Sequence, residues 1–126
     1  HRIPLIFYAP NHIKPARYDF PVSQIDMLPT LLGLLNFNYD SVFYGKDALK
    51  PDYAPRYFIS NYQYIGYSKD KDLVVLKPVK AVTYYKNGQQ TKEVLPDLLE
   101  GAVSYYQHAS HWRDLYKNAS KDSKSR

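Results

Sequence analysis

The chain has 126 residues, 44% of them hydrophobic, with 14 tyrosines and 5 phenylalanines, enough for one core of moderate size and too much for wholesale disorder. Seventeen lysines and arginines against 12 acidic residues leave a formal charge of +5, yet Arg2, Lys14, Arg17, Lys50, Arg56 and Lys80 are scattered and form no stripe, which argues against a nucleic-acid partner. There is no cysteine, which excludes disulfides and thiolate metal sites, and no apolar run approaches the roughly 20 residues that span a bilayer.

Residues 3–8, Ile-Pro-Leu-Ile-Phe-Tyr, are nearly all apolar and rich in strand formers, the pattern of a parallel strand covered on both faces. The run follows His1 and Arg2 directly, with no initiator methionine, and reads as the interior of a longer protein; a compact domain that opens on a strand gives the same pattern. Ala9-Pro10-Asn11 ends the strand, and the polar stretch through Arg17 forms a surface loop. Residues 23–36 predict a helix capped by Asp26, with Pro29 in its first turn and Asn36 as its stop. Apolar side chains at Met27, Leu28, Leu31, Leu32, Leu34 and Leu35 cover most of its circumference, so it is expected to be largely buried against a sheet.

Residues 38–55 are looser, with Gly45-Lys46-Asp47 and two prolines punctuating aromatic residues, and read as an ordered connection with a short helical turn. Alternation over residues 56–67 predicts a strand, Asp70-Lys71-Asp72 a turn, and Leu73-Val74-Val75-Leu76 the returning strand. A third strand over residues 81–85 leads into Asn87-Gly88, a dipeptide suited to a tight hairpin. The expected result is a small antiparallel meander. Pro96 and Asp97 open a last helix, whose seam is Leu98, Ala102, Tyr105, Ala109, Trp112 and Tyr116. The polar residues beyond Asn118 are expected to fray.

The string of residues 1–10, followed by Ser23-Gln24-Ile25-Asp26-Met27-Leu28-Pro29-Thr30-Leu31-Leu32-Gly33, resembles the late catalytic-domain sequence of sulfatases and lipoteichoic acid synthase-like proteins of the alkaline phosphatase superfamily. Gly45-Lys46-Asp47 looks like that family's Gly-Lys/Arg-Asp turn, and Arg56-Tyr57-Phe58-Ile59 resembles the start of its C-terminal subdomain. The resemblance implies an α/β fold: the C-terminal part of an alkaline phosphatase-like sandwich, with a small antiparallel meander and a C-terminal helix. Residues 1–50 would then be the last strand and helix of the catalytic domain, residues 51–118 an α+β subdomain, and residues 119–126 a disordered tail.

For the parent protein the resemblance implies a bacterial sulfuric ester hydrolase or phosphoglycerol transferase acting on a sulfate or phosphate ester or an anionic glycolipid. It implies an extracytoplasmic catalytic domain on the inner membrane, held there only through N-terminal helices that lie outside this sequence. A divalent metal (Mn, Mg, Ca or Zn) and a nucleophilic threonine, or a modified cysteine or serine, would be supplied upstream of His1. This stretch holds neither, so it is expected to carry no cofactor and to need the upstream catalytic domain as its partner.

Among residues with chemistry to offer, His1 stands at the strand end nearest the family's cleft, where an imidazole can contact an anionic substrate; the alternative is a terminal residue without a role. His108 and His111, three apart on the last helix, share a face with Ser104 and Asp114, but they lie off the apolar seam and read as solvated rather than as metal ligands. His12 has only polar loop neighbours. Tyr57, Phe58, Tyr62, Tyr64 and Tyr67 suit either the inner face of the meander or a sugar- or lipid-contacting surface. The second alternative belongs to a different class of function, a non-catalytic glycan- or lipid-binding module.

Overall fold

The computed structural model describes residues 3–42 and 44–122, with side chains through Trp112. The fold is mixed α/β. Five strands, β1 Arg56–Ser60, β2 Ile65–Lys69, β3 Asp72–Leu76, β4 Val82–Lys86 and β5 Gln89–Thr91, form one antiparallel sheet in chain order. Ahead of it, a 3₁₀ turn at Gln24–Asp26 continues into α1, Met27–Leu34, and behind it comes α2, Pro96–Asp122. No second sheet is present among the described residues.

Tight turns make the sheet a meander. Asp70 and Lys71 (φ 52° and 70°) join β2 to β3, and Asn87 and Gly88 (φ 51° and 83°) join β4 to β5; two successive positive φ values match the right-handed strand twist. Between β3 and β4 the same geometry falls on Val79 (φ 62°, ψ 31°) and Lys80 (φ 58°), closed by the Ala81 N–H donating to the Pro78 carbonyl at 3.3 Å. The expected single strand over residues 56–67 is two strands. The Asn61 side chain accepts hydrogen bonds from the N–H groups of Gln63 (3.0 Å) and Tyr64 (2.8 Å), and this local turn breaks the ladder before Ile65.

Register aligns Phe58, Tyr67, Val74 and Tyr84 in one row across β1 to β4. The α2 helix lies over that row: Leu98 and Ala102 are buried against Tyr67, Val74 and Tyr84, with Leu95, Leu99 and Tyr105 flanking them. Gly101 brings the helix backbone close, since a Cβ there would sit 3.0 Å from the Tyr67 ring. Tyr105 stacks edge-on to Phe58 at 4.9 Å between ring centroids. The seam is thus correct from Leu98 to Tyr105 but not beyond it, because Ala109 and Trp112 are exposed. A helix rises about 1.5 Å per residue, so one of 27 residues outruns five-residue strands. It continues past Asn118 to Asp122.

Two expectations for the N-terminal part change. Residues 3–8 form no strand and are mostly exposed, with Ile3 at 80% and Ile6 at 79% of full exposure. A strand needs a neighbour to accept its ladder hydrogen bonds, and the meander uses its own strands in chain order and offers these residues no partner. The α1 helix is not buried against the sheet either. Pro29 and Thr30 are buried, while Met27, Leu28, Leu31 and Leu35 are exposed. Asn36, at φ 55°, ends the helix as expected, with the Phe37 N–H donating to Leu32 O and the Asn36 N–H to Gly33 O, the paired bonds of a left-handed C-terminal cap.

Candidate functional site

The one charged pair withdrawn from water among the described residues joins Asp26 to Arg56, with Asp26 0% exposed. Arg56 grips the carboxylate with both arms, Nη1 to Oδ2 at 2.7 Å and Nη2 to Oδ1 at 3.1 Å. The Tyr53 hydroxyl donates to Oδ2 at 2.8 Å, the Lys46 N–H to Oδ1 at 2.8 Å and the Ser23 N–H to Oδ2 at 3.3 Å. Arg56 also donates to the Tyr44 carbonyl at 2.9 Å and, through Nε, to the Tyr105 hydroxyl at 3.3 Å. One ion pair therefore ties together the turn before α1, the loop around Gly45, β1 and α2.

Asp26 is not the helix cap that its position suggests: its side chain takes no hydrogen bond from an N–H group of α1. Its backbone carbonyl accepts instead from the Thr30 hydroxyl at 2.7 Å, and Thr30 Oγ1 accepts from the Ala48 N–H at 2.9 Å, a second tie between α1 and the loop. Gly45 is required at this seam, because a Cβ would collide with the Ile25 carbonyl and press on the Pro29 ring. The Ser-Gln-Ile-Asp-x-x-Pro-Thr string, the Gly-Lys-Asp turn and Arg56 are thereby parts of one joint.

Burial pushes the Asp26 carboxyl up, but the Arg56, Lys46 and Tyr53 hydrogen bonds and the Arg56 charge outweigh it and hold the group below the usual carboxylate range. Burial and the bond to Asp26 push the Tyr53 hydroxyl well up, so it stays a donor. Burial lowers the Arg56 guanidinium, and its bonds to Asp26 and Tyr105 more than reverse this, keeping it charged. A carboxylate with all these donors and no water access is a poor nucleophile or base, so the joint serves structure.

Next to it, an open cleft of about 730 Å³ is lined by residues that include Asp40, Asp47, Asp52, Lys46 and Lys50. Its carboxylates do not converge: among the described residues no group of three or more His, Asp or Glu side chains is placed to hold a metal ion. The divalent ion implied by the sequence resemblance has its ligands upstream of His1 on that reading, outside this sequence.

His1 lies outside the described residues. His108 is exposed but partnered, its Nδ1 2.6 Å from the Tyr44 hydroxyl with the two rings edge to face at 5.5 Å. His111 Nδ1 faces the Gln107 carbonyl at 2.8 Å, and Ser104, Gln107, His108 and His111 line a shallow open hollow. The Asp114 side chain lies outside the described residues. The aromatic run divides by position: Phe58 on β1 and Tyr67 on β2 pack under α2, whereas Tyr62, in the turn between the two strands, stands in water. Sequence reasoning missed Arg56, Tyr53 and Tyr105 as a unit. An aspartate between Ile25 and Met27 in an apolar helix signals a need for a cation, but nothing linear selects which of the 17 basic residues supplies it.

No described helix is long and apolar enough to cross a membrane. No family model, no curated protein and no solved structure matches this chain.

Proposed function

We propose that this chain is the C-terminal part of a metal-dependent sulfatase or phosphoglycerol transferase-like enzyme with an alkaline phosphatase-like sandwich, acting on a sulfate or phosphate ester. The nucleophile and metal ligands come from a preceding segment, which is also the structural partner and, on this reading, carries the membrane anchor. One observation carries the proposal. The α1 helix is locked on one side by the Asp26–Arg56 joint, while Met27, Leu28, Leu31 and Leu35 on its surface are exposed, as are most of residues 3–8. A rigidly held helix with an uncovered apolar flank, together with an apolar N-terminal segment without a ladder partner, supports the reading of an α/β layer whose other strands lie elsewhere.

The test is to express the protein with its upstream coding sequence and compare it with the 126-residue chain. The extended protein is expected to contain a threonine or Cys-x-Pro-x-Arg nucleophile and to cleave a phosphate or sulfate monoester, or to transfer glycerol phosphate from phosphatidylglycerol, with manganese present. The short chain is expected to be inert. Ile6→Lys should lower the melting temperature of the extended protein and leave the short chain unchanged. An upstream sequence without a nucleophile, or an extended protein that tolerates the lysine, would overturn the reading.

A further inference from the structure

The register Ser60↔Ile65, Ile65↔Leu76 and Leu76↔Val82 brings the β1–β2 and β3–β4 connections to the same end of the sheet. That end carries Tyr62 at 99% and Val79 at 97% of full exposure, with Tyr64 beside them. The Lys77 ammonium sits 5.7 Å from the centre of the Tyr64 ring. Neither connection, residues 61–64 or 77–81, contains a carboxylate; the first is uncharged and the second carries Lys77 and Lys80. The opposite end is different: Asp70, Asp72 and the Lys86–Glu93 pair give it mixed sign.

Val79 is the decisive residue. A β-branched side chain at φ 62° is a steric outlier, and the sheet contains the relaxed solution to the same turn in Asn87-Gly88. The β3–β4 turn instead holds an apolar side chain fully out in water in a strained backbone, a combination that adds nothing to the fold. We propose that this end of the sheet docks on the interfacial region of an anionic lipid bilayer, with Tyr62 and Val79 entering the headgroup layer and Lys77 and Lys80 meeting lipid phosphates. The shape selects this occupant. Tyr62 and Val79 stand almost fully in water on two separate turns, and neither the cleft beside the Asp26 joint nor the hollow at His108 includes them, so a surface that moulds itself around single side chains fits better than a ligand that fills a pocket. The lysines select negative charge, and tyrosine suits a boundary that is apolar on one side and wet on the other. The inference does not depend on the enzyme reading, and it gives the chain a membrane contact of its own, separate from any anchoring helix.

Cosedimentation of the 126-residue protein with vesicles of equal parts phosphatidylglycerol and phosphatidylcholine, against pure phosphatidylcholine, tests it. Binding is expected to the anionic vesicles, weakening about fivefold for each of Lys77→Gln and Lys80→Gln. Lys71→Gln, at the other end of the sheet, should change little. Val79→Asn separates docking from folding, since relief of the turn should raise the melting temperature while vesicle binding falls. Tyr62→Ser should reduce binding with the melting temperature unchanged. No binding to anionic vesicles, binding that survives both Val79→Asn and Tyr62→Ser, or binding to a soluble sulfated glycan in place of vesicles would each overturn the proposal.

Discussion

Asp26 and Arg56 are worth more as a pair than either is alone. Taking two charges from water costs several kcal/mol per ion, and the bidentate geometry with three further donors to the carboxylate offsets that cost only while both partners are present. Arg56→Met therefore leaves a buried carboxylate with no countercharge and should destabilise the chain by about 3–5 kcal/mol. Adding Asp26→Asn should recover part of that loss, so that denaturant melts of the two single variants and the double variant give strongly non-additive values; additive losses would show that the two charges act independently.

The same residue sets a pH dependence. Because the folded-state pKa of Asp26 is depressed, its contribution is fully present above the unfolded-chain value near 3.9 and is lost as pH falls through the lower folded value. Thermal melts taken from roughly pH 6 down to pH 2 should show a steep fall at the acid end that Asp26→Asn flattens.

At the level of elements, α2 has two halves with different jobs. Its first turns, through Leu98, Ala102 and Tyr105, cover the Phe58–Tyr67–Val74–Tyr84 row, and the later turns overhang the sheet and carry His108 to Tyr44. Leu98→Ala should cost about 2–5 kcal/mol because it opens a cavity over that row. Ala109→Ser, one face repeat beyond the sheet, should stay within about 0.5 kcal/mol of wild type. Equal effects in chemical denaturation would mean that the helix is covered along its whole length. The α1 helix shows how a motif can be structural in an unexpected way: its proline, threonine and preceding aspartate face the Gly45 loop, and Leu28 and Leu31, which a helical wheel assigns to the core, face outward.

For the whole molecule, the apolar surface is unevenly placed. Beneath α2 the sheet is closed, while residues 3–8 and the outer flank of α1 present Ile3, Ile6, Met27, Leu28, Leu31 and Leu35 to water. Exposed apolar area of that kind associates unless something covers it. Sedimentation velocity at micromolar concentration should find the chain self-associating. Leu28→Lys with Leu31→Lys should make it monomeric at an unchanged melting temperature, because those side chains are not in the core; a wild-type chain that is monomeric throughout would contradict this.

Composition and local pattern were enough for much of what depends on neighbours along the chain, although the Asn61 turn that splits residues 56–67 into two strands is local and was missed. The Asn87-Gly88 hairpin, the turn at Asp70, the stop at Asn36 and the apolar seam from Leu98 to Tyr105 all follow from backbone sterics and side-chain periodicity. Burial was not legible in the same way. Residues 3–8 and the leucines of α1 have the composition of a core, but whether they are covered depends on which surfaces meet, and Ile3, Ile6, Leu28 and Leu31 stay exposed. The joint was hidden for a related reason: Asp26, Lys46, Tyr53, Arg56 and Tyr105 are separated along the chain, and Coulomb attraction and hydrogen bonding act through space, so only the folded arrangement could choose Arg56 from the other basic residues and turn an apparent helix cap into the buried centre of the joint.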